Sequence, residues 1–137
     1  MLDRFLRVAR YAARHTDGVM FCTYEVSLPQ ILVLRAIIAA ERDGRTALSA
    51  SEVAQDLQCS TANASDLVAA LHRRRSLIKR RDAKNGRILR LHPTVDGRMT
   101  EYRAGAVLAD CGGTVFGRLD SAEKLLLTTL LEKLTSA

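Results

Sequence analysis

The stretch SASEVAQDLQCSTANASDLVAALHRRRSLIKRRDAKNGRILRLH, residues 49–92, decides how the chain folds. Ser49 stands three residues before Glu52, the spacing of a capping box, in which a hydroxyl accepts the N3 amide and the N3 side chain reaches back. This box opens a short helix to about Leu57, with Val53, Ala54 and Leu57 facing inward. Only Gln58 and Cys59 separate it from Ser60, the cap of a second helix through TANASDLVAALHRR. Two short helices on so tight a turn make a helix-turn-helix. The apolar period then becomes strand-like. Leu77-Ile78 and Ile88-Leu89-Arg90-Leu91 flank Asn85-Gly86, the strongest short hairpin signal, because both central turn positions require positive φ. Pro93 stops the second strand. Helix, turn, helix, hairpin is the order of a winged helix, expected over residues 27–92.

The later part of this stretch carries the excess charge of the whole chain. Residues 73–92 hold nine cations (Arg73, Arg74, Arg75, Lys79, Arg80, Arg81, Lys84, Arg87, Arg90) and one acid, Asp82. That is a balance of +8 in a chain of net charge +6, so everything else sums to −2. Leu77, Ile78, Leu89 and Leu91 run through the basic segment and are expected to pin the ribbon to the core. The pI near 9.7 points to a polyanionic partner, though charge alone does not choose between nucleic acid and a membrane surface. A basic run is commonly just a solvated face. Here it coincides with a helix-turn-helix and wing, and a duplex offers phosphates to the helix end and a narrow negative groove to the hairpin tip.

Outward from this centre, Leu2, Phe5, Leu6, Ala9, Ala12 and Ala13 recur at helical spacing and predict a helix over 2–15. Residues 16–26 show no period and read as a loop. Ser27 with Gln30 makes a capping box, Pro29 fits the first turn, and a helix apolar nearly all round runs to about residue 42, where Gly44 ends it. Past Thr94 a further helix begins. Gly105, Gly112, Gly113 and Gly117 weaken it, each by roughly 1 kcal/mol against alanine, and a break is expected near 112–113. Asp120 with Glu123 opens a last helix, 121–135, carrying Leu125, Leu126, Leu130, Leu131 and Leu134. The fold class is mainly α with a small β-hairpin, in one domain over 1–137.

The 137 residues, 47% hydrophobic and 26% charged, suit a globular protein with an aliphatic core, since aromatics are only 4%. No apolar run approaches the ~18 residues of a membrane span. Asp3, Arg4, Arg7 and Arg10 interrupt what a signal peptide would keep apolar, so a cytoplasmic location is expected. Cys22, Cys59 and Cys111 are odd in number and widely spaced, which makes reduced thiols the default.

At 100° per residue, Ala64, Leu67, Val68 and Leu71 face inward on the second helix of the pair. The candidate DNA-reading residues are Ser60, Thr61, Ala62, Asn63, Ser65, Asp66, Ala69 and Arg73. Asn63 and Ser65 can hydrogen-bond base edges, and Ala62 or Ala69 can touch a thymine methyl. Asp66 can accept from cytosine N4 or pair on the protein side with a neighbour such as Arg73. The wing candidates are Arg80, Arg81, Asp82, Lys84, Asn85 and Arg87. Tyr11, Cys22 and Tyr24 are candidates for the border of a small-ligand pocket, with plain packing as the alternative. Cys59 could sense oxidants from the turn before the reading helix or simply fill space. His15, His72 and His92 lie far apart without carboxylates at ligand spacing, so no metal and no cofactor are expected. No nucleophile elbow, phosphate loop or paired-carboxylate site is present, and an enzyme is not expected.

Four segments together resemble the MarR family of bacterial winged-helix transcription regulators: SLPQILVLRAI, LSASEVAQDLQCSTANASDLVAAL, RRDAKNGRILRLHPTVDGR and LDSAEKLLLTTLLEKL. The similarity covers nearly the whole chain, and the Asp-x-Lys-x-x-Arg pattern of Asp82, Lys84 and Arg87 is its most specific element. The resemblance implies a DNA-binding lobe plus a dimerisation lobe made from the helices at 2–15 and 94–135. It implies a homodimer on a pseudo-palindromic operator, a wing Asp82 that orients a minor-groove Arg87, and, as in many members, a small effector that releases DNA. Three features depart from the family pattern: Asp66 where an arginine is common, Arg75-Ser76 where a glycine often turns into the wing, and the glycines of 105–117. A winged-helix dimer acting through protein contacts is the alternative function, and a cysteine-based redox sensor a further one.

Overall fold

The computed structural model describes residues 1–136. Among them the elements run α1 (Leu2–Tyr24), α2 (Leu28–Arg42), α3 (Ala50–Asp56), α4 (Thr61–Arg73), β1 (Leu77–Arg81), β2 (Leu89–Pro93), α5 (Val95–Phe116) and α6 (Ser121–Thr135). The fold is mainly helical with one antiparallel ribbon, as expected.

At the start of α2 the Ser27 hydroxyl accepts the Gln30 amide at 3.3 Å, while the Gln30 side chain accepts the Ser27 amide at 3.1 Å. Ile31, Val33, Leu34, Ile37 and Ala40 are buried, and α2 packs on α1, α3, α4, α5 and β2. Around it close Val53, Ala54, Val68, Leu71, Leu77 and Leu91. Each fully buried Val, Leu or Ile among them contributes roughly 1.5–3 kcal/mol.

Three local expectations are corrected. First, α1 does not stop at residue 15 before a loop: it runs on to Tyr24. Thr16 and Met20 are buried one turn apart, between half-buried Ala12 and Tyr24, so an i, i+4 row continues. A threonine inside that row breaks the apolar pattern without breaking the helix. Second, α5 is continuous through Gly112 and Gly113. Ala104, Val107 and Cys111 recur at i, i+3, i+4 spacing and are buried where α5 meets α1 and α2, and that burial outweighs the glycine propensity cost.

Third, neither Asn85 nor Gly86 adopts positive φ. The ribbon pairs Leu77 with Pro93 and Arg81 with Leu89, so the connection spans residues 82–88 instead of a two-residue turn. The Asp82 carboxylate accepts the amides of Lys84 (2.8 Å) and Asn85 (3.0 Å), the Asp82 amide donates to Ile88 O at 2.9 Å, and Ile88 donates to Asn85 O. An aspartate that satisfies two loop amides competes with the tight turn and wins. Of the apolar ribbon residues, Leu77 and Leu91 are buried, Ile78 is half-buried, and Leu89, expected to pin the ribbon, is 43% exposed.

Helix ends supply a further finding. Glu25, Gln58 and Arg75, none of them glycine, adopt left-handed φ of 55°, 51° and 60°. Gln58 and Arg75 sit at the ends of α3 and α4, where Cys59 donates to Ala54 O (3.0 Å) and Ser76 to Leu71 O (2.9 Å), the long-range bond of the Schellman motif. Arg75 therefore stands where a glycine would be least strained.

Candidate nucleic-acid interface

Ser60 caps α4 by accepting the Asn63 amide at 3.1 Å. Ala64, Val68 and Leu71 are buried, which leaves Ser60, Thr61, Ala62, Asn63, Ser65, Asp66 and Arg73 exposed and Ala69 half-buried. The outward face of α4 is thus short side chains with one carboxylate and a terminal cation. Asp66 makes no ion pair among the described residues, so the protein-side pairing with Arg73 does not form.

On the ribbon, Arg80, Arg81, Lys84, Asn85 and Arg87 are exposed and Asp82 is partly buried. Arg81 donates to Gly86 O at 2.8 Å and braces the loop. The expected orientation of Arg87 by Asp82 is not formed. Asp82 instead holds Arg90, Nε to Oδ2 at 2.7 Å. Arg90 lies on β2 directly below the loop, and its Nη1 reaches Glu52 of α3 at 2.8 Å and Ala47 O at 3.2 Å. Arg87 keeps only a backbone link, its amide donating to Asn85 Oδ1 at 3.2 Å, and its guanidinium joins no ion pair among the described residues.

This charge arrangement fixes the ribbon on the helix-turn-helix. The Arg90 hydrogen bond, then the Asn85 and Lys84 amides, hold the Asp82 carboxyl down at about 2 from 3.8. Asp82 first, then Glu52, raises the already basic Arg90 further. Leu91 also donates its amide to Leu48 O at 2.8 Å, so β2 is stitched to the segment preceding α3. One cation is consumed in fixing the wing, while Arg73, Arg80, Lys84 and Arg87 stay free of ion pairs among the described residues.

Two arginines outside the candidate set hold the lobe together. Arg90 is the wing's anchor, and its signal was its position between Leu89 and Leu91 in an otherwise apolar strand. Arg74 turns back to α1 and donates to Glu25 O (2.9 Å) and Tyr24 O (3.4 Å). No local signal marks it, since it stands between two arginines that are exposed like itself.

Tyr11, Cys22 and Tyr24 do not line one cavity within the chain. Tyr11 and Tyr24 lie about 20 Å apart along α1 at about 1.5 Å per residue. Tyr11 is exposed and stacks on His15 with centroids 6.0 Å apart, and Cys22 is exposed. Tyr11 borders one cavity with Arg7, Arg10, Arg14 and His15, and Tyr24 borders another with Arg35, Glu101, Tyr102, Arg103 and Gly105, where Arg35 and Glu101 pair at 2.9 Å. The three cysteines are free; Cys111 is buried in the core and Cys59 half-buried at the turn. Among the described residues no histidine, cysteine or carboxylate cluster could hold a metal, and no single helix is long and apolar enough to cross a membrane.

No protein-family model matches the sequence, and no curated protein does. Solved structures do match over almost the full length. The PcaV transcriptional regulator of Streptomyces coelicolor, solved with its natural ligand, is 25% identical with a TM-score of 0.75, over 99% of this chain and 90% of that one. The MarR family protein Rv2887 of Mycobacterium tuberculosis, in complex with p-aminosalicylic acid, is 20% identical with a TM-score of 0.79, over 99% and 98%. The Staphylococcus aureus MepR–DNA complex is 19% identical with a TM-score of 0.77, over 96% and 91%.

Proposed function

We propose that this chain, whose fold is that of the MarR-family winged-helix regulators, is a transcription regulator that binds double-stranded DNA as a homodimer. The observation that carries the reading is the division of labour in the basic segment. Arg90 anchors the wing to Asp82 and Glu52, and Arg73, Arg80, Lys84 and Arg87 are left exposed beside the short outward side chains of α4. Free cations on a braced ribbon suit phosphate and minor-groove contact, and Asn63 and Ser65 suit base edges. The similarity to MepR, solved with DNA, supports it.

Two-fold pairing is supported by what a single chain leaves uncovered. Leu2, Phe5 and Leu6 of α1 and Leu125, Leu126, Leu130 and Leu134 of α6 are all exposed, and exposed apolar residues gathered on two terminal helices suit a protein partner. Such a dimer reads a pseudo-palindrome with half-sites about 34–36 Å apart. Bound there it occupies promoter DNA, so repression is its simplest effect. The cavity beside Tyr24 and the Arg35–Glu101 pair is the place for a small effector that releases DNA, in line with the ligand complexes of PcaV and Rv2887.

Selection from random duplexes at two salt concentrations tests the reading. A defined palindrome should emerge, bound at roughly 10⁻⁸–10⁻¹¹ M. Arg87→Ala should weaken binding and reduce the salt slope by about 1 per wing, while Arg10→Ala on α1 should change neither. Equal losses for the two variants would remove the wing from the interface. The unpaired, exposed Asp66 favours a second reading, a dimer that works through protein contacts; that reading predicts weak binding with no selected sequence.

A further inference from the structure

The turn that joins α4 to β1 is tied to both long helices flanking it. Arg74 spans Glu25 O and Tyr24 O at the C-terminus of α1. Those carbonyls are among the last four of α1, which lack partners within the helix and carry its negative dipole end. The Tyr24 hydroxyl in turn donates to Arg103 O on α5 at 3.4 Å. From the other side Thr94, the cap of α5, donates its hydroxyl to Arg75 O at 2.7 Å and its amide to Ser76 O at 3.1 Å. Three consecutive residues, 74–76, are therefore bound to the helices that precede and follow the winged lobe.

From this geometry we infer that Arg74 is a positioning residue that sets the angle of α4 relative to α1, and through it the half-site separation the dimer accepts. The inference rests on the DNA-binding reading above. Arg74 is the middle cation of an exposed triplet, yet its guanidinium is spent on carbonyls and neutralises no phosphate. An arginine fork spans two carbonyls at once, which an ammonium does not do in the same fixed geometry. The lever is long. The 13 residues of α4 span about 20 Å, so a swing of about 10° at the Arg74 end moves the Ser60 end by about 3.4 Å, one base-pair step.

The experiment uses the full-length chain and a set of duplexes carrying the selected half-sites at the best separation and at one base pair more or fewer, each titrated at several salt concentrations. Wild type should prefer one separation by at least about tenfold. Arg74→Ala should flatten that preference to within about threefold while leaving the salt slope unchanged. Arg73→Ala should do the reverse, lowering the slope by about 1 per subunit and keeping the preference. Arg74→Lys separates fork from charge: it should behave as Arg74→Ala does. A lysine variant that keeps the full preference would overturn the inference by showing that the fork is not needed, and an alanine variant whose slope falls as Arg73→Ala does would overturn it by making Arg74 a phosphate contact. If Arg74→Ala lowers thermal stability with the separation preference intact, the arginine only stabilises the fold and the inference is again overturned. Failure of wild type to bind any duplex would instead bring down the DNA reading, and this inference with it.

Discussion

Gly97 offers the sharpest test of how the wing is seated. It lies in the first turn of α5, and a Cβ built there would stand 2.0 Å from Ser76 O and 3.0 Å from Ser76 C, with Leu34 Cδ2 at 3.4 Å. The obstruction is backbone, so no side chain can swing aside. An ordinary carbon–oxygen contact is about 3.3 Å, so Gly97→Ala must drive α5 and the α4–β1 turn apart by more than about 1 Å. The two hydrogen bonds from Thr94, 3.1 Å to Ser76 O and 2.7 Å to Arg75 O, cross the same gap and lengthen with it. Each is worth about 1 kcal/mol, and the forced displacement of packed backbone costs about 1–3 kcal/mol more. Better helix propensity returns about 1 kcal/mol. The net loss is about 2–4 kcal/mol, read as a lower urea midpoint at unchanged slope. Gly105→Ala is the control from the same helix: its added Cβ meets only Arg35 Nη2 at 3.9 Å, and it should gain up to about 1 kcal/mol. A Gly97→Ala protein as stable as wild type would refute the close approach of α5 to the turn.

Two further outcomes follow from local geometry. Arg75→Gly relieves a left-handed residue at φ 60° and should raise stability by about 1 kcal/mol, roughly 3–5 °C in Tm; a decrease would mean the arginine makes a compensating contact. The Asp82 carboxyl, held at about 2 from 3.8, is depressed in the folded wing, so its stabilisation is complete above 3.8 and is lost as pH falls toward 2. A carboxyl NMR titration should show the low midpoint in wild type and a return toward 3.8 in Arg90→Ala; an ordinary midpoint in wild type would contradict the pairing.

The legible parts of the fold were those written within four residues of chain. The hydroxyls of Ser27, Ser49 and Ser60 and the carboxylate of Asp120 each accept the N3 amide of the helix they open. The order of helix, turn, helix and ribbon followed from those caps and from the change of apolar period. Three local expectations gave way to a stronger neighbour, and burial of Ala104, Val107 and Cys111 carried α5 through Gly112 and Gly113. Thr16 hid the inner row of α1, and Asp82 overrode the tight turn that Asn85-Gly86 favours, because its carboxylate binds two loop amides.

Chain order alone is enough to say where most helices begin, which of their faces are apolar, and that the excess positive charge gathers at the end of one helix and along one ribbon. Those depend on caps and periods, which act between residues already adjacent along the chain. What each cation does is set by contacts between segments far apart in the chain. Arg90 meets Glu52 across 38 positions, Arg74 meets Glu25 across 49, and Arg87 meets no carboxylate among the described residues. Nine basic residues look alike in a row, and their roles separate only when packing of α2 against its neighbours brings one carboxylate or one helix end within 3 Å of a particular guanidinium and leaves the rest in water.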